Sequence, residues 1–221
     1  MLSKVCPHLL YHFLMLGRLA SLSSSTMEIS RPTKDSVLFD FTTATQADID
    51  SWREVSDTVR EPGMSKAVFS LQKTQLFQRA VMFAMINPQP NGAGFAGVQT
   101  AIPDCAASYS DSTGLKLHAR GQGQLKFWKV VLTDRDQMGS IRRYDYEQKF
   151  QVRGMSDRQF DVVDLPFSQF KAYKWGKELP DAPPLDLEKI GSFGLQTFGG
   201  VYDDYKQQGT GSLEVDFVSF Y

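Results

Sequence analysis

Catalytic and metal centres are built from histidine, cysteine and clustered carboxylates, and this sequence offers few of them in useful spacings. Of its three histidines, His8 and His12 lie near the start, which leaves His118 alone. His118 falls on the polar side of an alternating stretch beside Lys116 and Arg120, so it reads as a solvated surface imidazole. Cys6 and Cys105 are the two cysteines, too few for a disulfide framework. Cys105 has no base close in sequence and reads as a packed thiol. No serine stands in a nucleophile-elbow glycine pattern, and zinc-type ligand spacings are absent. Asp134, Asp136 and the pair Asp203-Asp204 supply oxygens of the kind calcium takes, but in polar loops such aspartates are ordinarily solvated. Gly92-x-Gly94-x-x-Gly97 has the spacing of a dinucleotide fingerprint without the helix that would make it one. The expected chemistry is therefore binding, with no catalytic residue, metal or cofactor. The candidate binding set is Arg120, Trp128, Arg142, Tyr144 and Tyr146. Its aromatics sit among polar neighbours (Lys126, Arg143, Gln148), where rings could stack on sugars or anchor a protein partner. The competing reading puts half of these rings in the core and scatters the rest.

The elements that would position such a set are strands. Over residues 114–132, Leu115, Leu117 and Ala119 alternate with Lys116, His118 and Arg120. Leu125, Phe127 and Val131 then alternate with Gln124, Lys126 and Trp128. Period two puts one set on a core face and the other in water. With Gly121-Gln122-Gly123 between the runs, the stretch predicts a β-hairpin turning at those glycines. Further strands are expected at 37–41, 68–71, 80–86, 94–100, 141–153, 160–165, 192–198 and 213–220. The continuous apolar run 80–86 reads as buried on both faces. Thr45 and Asp48 frame a capping box for one short helix, and residues 187–190 predict a single helical turn. Residues 87–92, 133–140, 177–184 and 201–211 read as loops. Many short strands with turn signals and almost no helix specify an all-β fold: a two-sheet sandwich with one or two short helices. The expected core is Phe39, Phe41, Trp52, Val81, Phe83, Leu115, Leu117, Phe127, Val131, Leu165, Phe167, Phe170, Leu195, Val215 and Phe217.

Composition agrees with one sizeable core. The chain has 221 residues, 42% hydrophobic and 12% aromatic, which suits a single β domain over 35–221. Lysine and arginine total 24 against 25 acids, a balance that points away from nucleic acid. No apolar run is long and clean enough to span a membrane. Residues 1–34 read as a targeting or disordered leader, and 1–27 contain no acid. Lys4, the apolar centre around Leu9–Leu16 and Ala20 fit a secretory signal. Arg18 and the serines 21–25 fit a mitochondrial presequence, and an untargeted tail is the third reading. Neither Asn87 nor Asn91 forms a glycosylation acceptor, which leans away from secretion.

One resemblance covers residues 37–221 in order. Leu38-Phe39-Asp40-Phe41, Trp52 with Ser56-Asp57, Gly94-Phe95-Ala96-Gly97-Val98 and the run 114–123 are similar to the complex I intermediate-associated protein 30 family. So are residues 146–150, Leu165-Pro166-Phe167-Ser168-Gln169-Phe170, the pattern over 185–195 and Leu213-Glu214-Val215-Asp216-Phe217. The family's Met-Gly-Gly-x-Ser turn is represented here by Val59-Arg60-Glu61-Pro62-Gly63-Met64-Ser65, with its pieces in a different order. The resemblance implies a galactose-binding-like jelly-roll sandwich. It also implies a non-enzymatic, chaperone-like mitochondrial protein whose partners are complex I assembly intermediates and other assembly factors. The alternative is a carbohydrate-binding module, secreted or in the cytoplasm, holding a glycan on Trp128, Tyr144 and Tyr146.

Overall fold

The computed structural model describes residues 37–221 apart from 91–92, 103–110, 138–139, 141–142 and 153–158. The expected leader, Cys105 and Arg142 lie outside the described residues. The strands are β1 (Val37–Asp40), β2 (Arg53–Ser56), β3 (Lys66–Lys73), β4 (Gln78–Ile86) and β5 (Phe95–Ala101). They continue as β6 (Gly114–Gly123), β7 (Phe127–Asp134), β8 (Asp145–Gln151) and β9 (Asp161–Pro166). The last are β10 (Lys171–Lys174), β11 (Lys177–Glu178), β12 (Ile190–Phe198) and β13 (Gly209–Phe220). They form two antiparallel sheets. The first runs β3-β4-β13-β6-β9, with β1 also on β13; the second runs β11-β10-β8-β7-β12-β5-β2. Helix α1 (Gln46–Asp50) carries the expected capping box, in which Thr45 accepts from the Asp48 amide while Asp48 accepts from that of Thr45. A 3-10 turn covers Leu187–Lys189.

Apolar inner faces bind the sheets together. Phe41, Met82, Leu115, Leu117, Leu165, Leu213 and Val215 from the first sheet and its approaches meet Val98, Trp128, Val130, Leu132, Phe193 and Leu195 from the second. At one end the rings of Phe39, Phe41, Trp52, Phe69 and Phe193 interlock, with Trp52 and Phe69 centroids 4.6 Å apart and Phe39 and Phe193 5.4 Å apart. Tilted contacts of this kind stabilise by about 0.5–1.5 kcal/mol each beyond the area they bury.

Several sequence expectations are corrected. Residues 114–132 do not form a hairpin, because β6 pairs with β13 and β9 while β7 pairs with β8 and β12. Gly121 and Gly123 are strand residues, opposite Leu213 and Gly211. The chain crosses between sheets after Gly123, whose φ of 88° only glycine adopts freely. The crossing reverses the expected alternation, so Trp128, Val130 and Leu132 point inward and Phe127 and Val131 outward, where Val131 is nonetheless buried at 3% exposed. In β4 it is Ala80, Met82, Ala84 and Ile86 that join the core. Val81 is buried as expected, at 3% exposed, though on the outer face, whereas Phe83 is 52% exposed there. Phe217 also turns outward, because β13 shifts register between Val215 and Phe217 and a bulge moves every later side chain to the other face. His118 does face outward but is covered, lying between the rings of Phe160 and Phe217 at 4.8 and 4.9 Å.

Buried Asp57 ties the β2–β3 connection to the entry of β5. One carboxylate oxygen accepts from the Ser65 amide (2.9 Å), and the other from Ser65 Oγ (3.0 Å) and the Gly94 amide (2.8 Å). The reordered turn at 59–65 thus still delivers its serine to the aspartate. Asp57→Ala should cost about 3 kcal/mol or more, because it strands three buried donors. Phe193→Ala should cost about 3–5 kcal/mol. Chemical denaturation checks both, with Leu76→Ser, at a position 93% exposed, expected within about 0.5 kcal/mol of the parent.

Candidate binding site

With Trp128, Val130 and Leu132 facing inward, the outer face of the second sheet is left to Phe127, Lys129, Val131 and Thr133 of β7. Glu147 and Lys149 of β8 and Gln196 and Phe198 of β12 share that face. Lys129 stands directly opposite Lys149 across β7 and β8, an arrangement that would repel without counter-charges. Each has one. Lys129 Nζ lies 2.7 Å from Glu147, both side chains 10% exposed, and Lys149 Nζ lies 2.5 Å from Asp203. The Phe198 ring receives both ammonium groups, at 5.5 and 5.2 Å, a favourable use of its negative face.

Asp203 comes from the loop between β12 and β13, and side chains fix that loop. The Gln207 amide group donates to the carbonyls of Phe127 (2.8 Å) and Phe198 (2.7 Å) and to Thr197 Oγ1, while its oxygen accepts from the amides of Lys126 and Phe127. Lys206 Nζ donates to the carbonyls of Gly200, Val201 and Asp203. Gly200 has a φ of 75°, and a Cβ there would meet the Tyr205 carbonyl oxygen at 2.2 Å, so the turn requires glycine. Tyr205 stacks on Phe127 at 3.8 Å. Burial, then the charge of Asp203, pushes the Tyr205 phenol up to about 12. Burial, then Glu178 and Glu147, does the same for Tyr173, also to about 12. An open cleft of about 990 Å³ borders the same loop, lined by Pro88, Gln124, Lys126, Phe127, Val201 and Gln208 among others. Among the described residues its lining has no carboxylate, imidazole, hydroxyl or thiol, and no group of three His, Cys, Asp or Glu side chains could hold a metal ion.

At the edge of this face β10 and β11 form a tight hairpin, pairing Tyr173 with Glu178 and Lys174 with Lys177. Its two-residue turn is Trp175-Gly176, with φ of 51° and 77°. Two positive φ values suit the twist of the strands, but a tryptophan in the left-handed region costs on the order of 1–3 kcal/mol. Trp175 is 74% exposed and Tyr202, from the 199–208 loop, is 64% exposed. The Tyr202 ring lies against Gly176, 3.3 Å from where a Cβ would stand. Lys174 Nζ sits 5.0 Å from the Trp175 ring and Lys177 Nζ 5.4 Å from the Tyr202 ring.

The binding set expected from sequence is not brought together. Trp128 is fully buried, and Tyr146, 2% exposed, donates its hydroxyl to the carbonyls of Pro183 and Pro184. Neither is a surface stacking platform. Tyr144 meets Tyr146 edge-on at 5.7 Å. Arg120 lies on the opposite sheet's outer face, 2.6 Å from Glu214, which Arg79 also holds at 2.7 Å. Of the aspartates, Asp203 is engaged by Lys149, Asp134 accepts from the Asp136 amide, and Asp136 faces Lys189 at 3.3 Å. The missed residues are Trp175, Tyr202, Tyr205 and Phe198. The signals for them were a tryptophan before glycine between two lysines, and two tyrosines in an otherwise polar loop.

Two measurements test this description. Trp175→Asn should raise the thermal midpoint, because asparagine tolerates the left-handed region better than tryptophan; a lower midpoint would mean that the indole is held by packing. In alkali, unfolded tyrosines ionise near their ordinary value of 10, whereas Tyr173 and Tyr205 resist to about 12. The folded state then holds protons that the unfolded state has lost, so stability falls as pH rises through that window. Phenolate absorbance should show a late-titrating group of tyrosines, which burial also gives Tyr146, and Tyr173→Phe and Tyr205→Phe should each remove one member of it.

Residues 39–215 match the model of the complex I intermediate-associated protein 30 family. The chain is 23% identical, over 146 residues, to an uncharacterized protein of Schizosaccharomyces pombe, the match covering 65% of this chain and 67% of the yeast protein. Among solved structures it is similar to a family 11 carbohydrate-binding module from Clostridium thermocellum in complex with a β-1,3-1,4-mixed-linked tetrasaccharide. The identity there is 15%, coverage is 84% of this chain and 94% of that one, and the TM-score is 0.59. The family 11 module of the cellulosomal cellulase Lic26A-Cel5E from the same organism gives 14% identity, 84% and 93% coverage and a TM-score of 0.57. These likenesses show the β-sandwich fold. With four-fifths of its length matched in one run, the chain belongs to the complex I intermediate-associated protein 30 family.

Proposed function

We propose that this chain is a non-catalytic assembly factor for mitochondrial respiratory complex I, holding assembly intermediates through the exposed aromatic rim of the second sheet, around Trp175 and Tyr202. The observation that carries the reading is the family match across residues 39–215. The site supports it. The second sheet's outer face is laid out in ion pairs and ring contacts, the geometry of a surface that is held rather than one that reacts. The acid-free stretch 1–27 suits a mitochondrial address. Deleting the gene should deplete assembled complex I on native gels while sparing complexes II to V; an undiminished complex I band rules the role out.

A second reading, glycan binding, rests on one observation: two exposed rings, Trp175 and Tyr202, adjoin a polar face on a sandwich similar to a module solved with a tetrasaccharide. Aromatic faces of this kind stack on sugar rings. A glycan array probed with the parent chain and with Trp175→Ala decides: hits that vanish in the variant favour this reading, and an empty array counts against it.

A further inference from the structure

The tip of the β10–β11 hairpin combines three features that the sandwich does not need. Its turn places a tryptophan at a φ of 51°, where asparagine or glycine would sit without strain. It leaves that indole 74% exposed. And it sets Lys174 directly across from Lys177, where like charges oppose folding. On the sheet's outer face, by contrast, lysines are neutralised, the opposed pair Lys129 and Lys149 by Glu147 and Asp203, and Lys171 by Glu178 at 2.9 Å. Lys174 and Lys177 have no carboxylate partner among the described residues. Each rests instead on a ring, Trp175 or Tyr202, which orients the ammonium and leaves donors for another acceptor.

We propose that this tip is the dock for an acidic segment of a protein partner, a short stretch in which a carboxylate stands beside an apolar or aromatic residue. The carboxylate bridges Lys174 and Lys177, and the neighbouring side chain packs on the Trp175 indole and the Tyr202 ring. The charge missing from the hairpin is then supplied by the partner, and the strain at Trp175 holds the ring where it is used. An exposed tryptophan beside a tyrosine is the composition of an interface hot spot. The surroundings favour a protein over an anionic bilayer. Glu178 and Asp203 lie in the same cluster and Asp204 is exposed, so a lipid surface would be repelled as well as attracted, whereas a single carboxylate can be placed between two cations. This inference rests on the reading of the chain as an assembly factor and adds the contact and the partner's chemistry.

The test uses cells lacking the chain, complemented with the full-length parent, Trp175→Ala, the pair Lys174→Glu with Lys177→Glu, or the pair Lys174→Arg with Lys177→Arg. A photo-crosslinking residue at Tyr202 in the parent maps what touches the tip. The expected results are a crosslinked peptide with Asp or Glu beside an apolar residue and recovery of that protein cut about tenfold or more by charge reversal and by Trp175→Ala. The arginine pair should retain it, with thermal midpoints confirming that all variants fold. The proposal is overturned if the crosslinked segment lacks a carboxylate, or if charge reversal leaves its recovery unchanged. It is also overturned if the purified parent instead sediments with phosphatidylserine-containing vesicles, or binds a glycan, in a manner lost in the same variants. Failure of the parent to restore complex I would sink the assembly role alone, because the crosslinked sequence judges the tip by itself.

Discussion

A β-strand cannot bury two consecutive side chains on the same face, and that rule organises the second sheet. Once Trp128, Val130 and Leu132 are committed to the core, Lys129, Val131 and Thr133 have nowhere to go but the outer face. The same holds on β8, where Tyr146 and Phe150 point inward and therefore put Glu147 and Lys149 outside. The outer face is the reverse side of the core. Its polar residues are fixed in position by the apolar ones between them, and a slip of one residue in β7 would expose an indole and bury an ammonium.

Placing charges on that face creates a second requirement. Lys129 and Lys149 oppose one another, and the sheet supplies only one of the two counter-charges, Glu147. Asp203 must come from a connection many residues away, so the 199–208 loop has to be rigid enough to hold a carboxylate in place. Gln207 does this with donors and acceptors aimed at the β12 backbone and at the start of β7, and Lys206 closes the loop on itself. Tyr202 is carried to the rim by the same loop, so the exposed rings are positioned by the device that neutralises the sheet.

These dependencies explain what could be read from sequence. The sandwich, the capping box at Thr45 and Asp48, and most strand positions follow from local pattern and were legible. Strand phase was not legible where the pattern lacks contrast. In residues 80–86 every side chain is apolar, so nothing local distinguishes Met82, which is buried, from Phe83, which is exposed. Nor does alternation survive a change of sheet or a bulge. Extrapolation across Gly123 inverted Phe127 and Trp128, and extrapolation across Asp216 inverted Phe217. The expected binding set failed for this reason, since it took rings from strands whose phase was unknown. Trp175 and Tyr202 sit instead in connections, where no periodicity reports on them and only turn geometry does.

That contrast bears on why such a sandwich is shared with carbohydrate-binding modules at 15% identity. The inner faces need only apolar residues of suitable volume, so unrelated sequences satisfy them equally well. What differs between members is what stands on the outer face and in the connections, and there this chain departs from what folding alone would select. A tryptophan at positive φ and a pair of opposed lysines both oppose folding locally, and both are tolerated because the Asp57 and Gln207 networks and the interlocked rings around Trp52 hold the sandwich without help from the tip. A surface free of any duty in the core can keep residues that are awkward for the monomer, and the contact proposed for the tip would give those residues a use that folding does not.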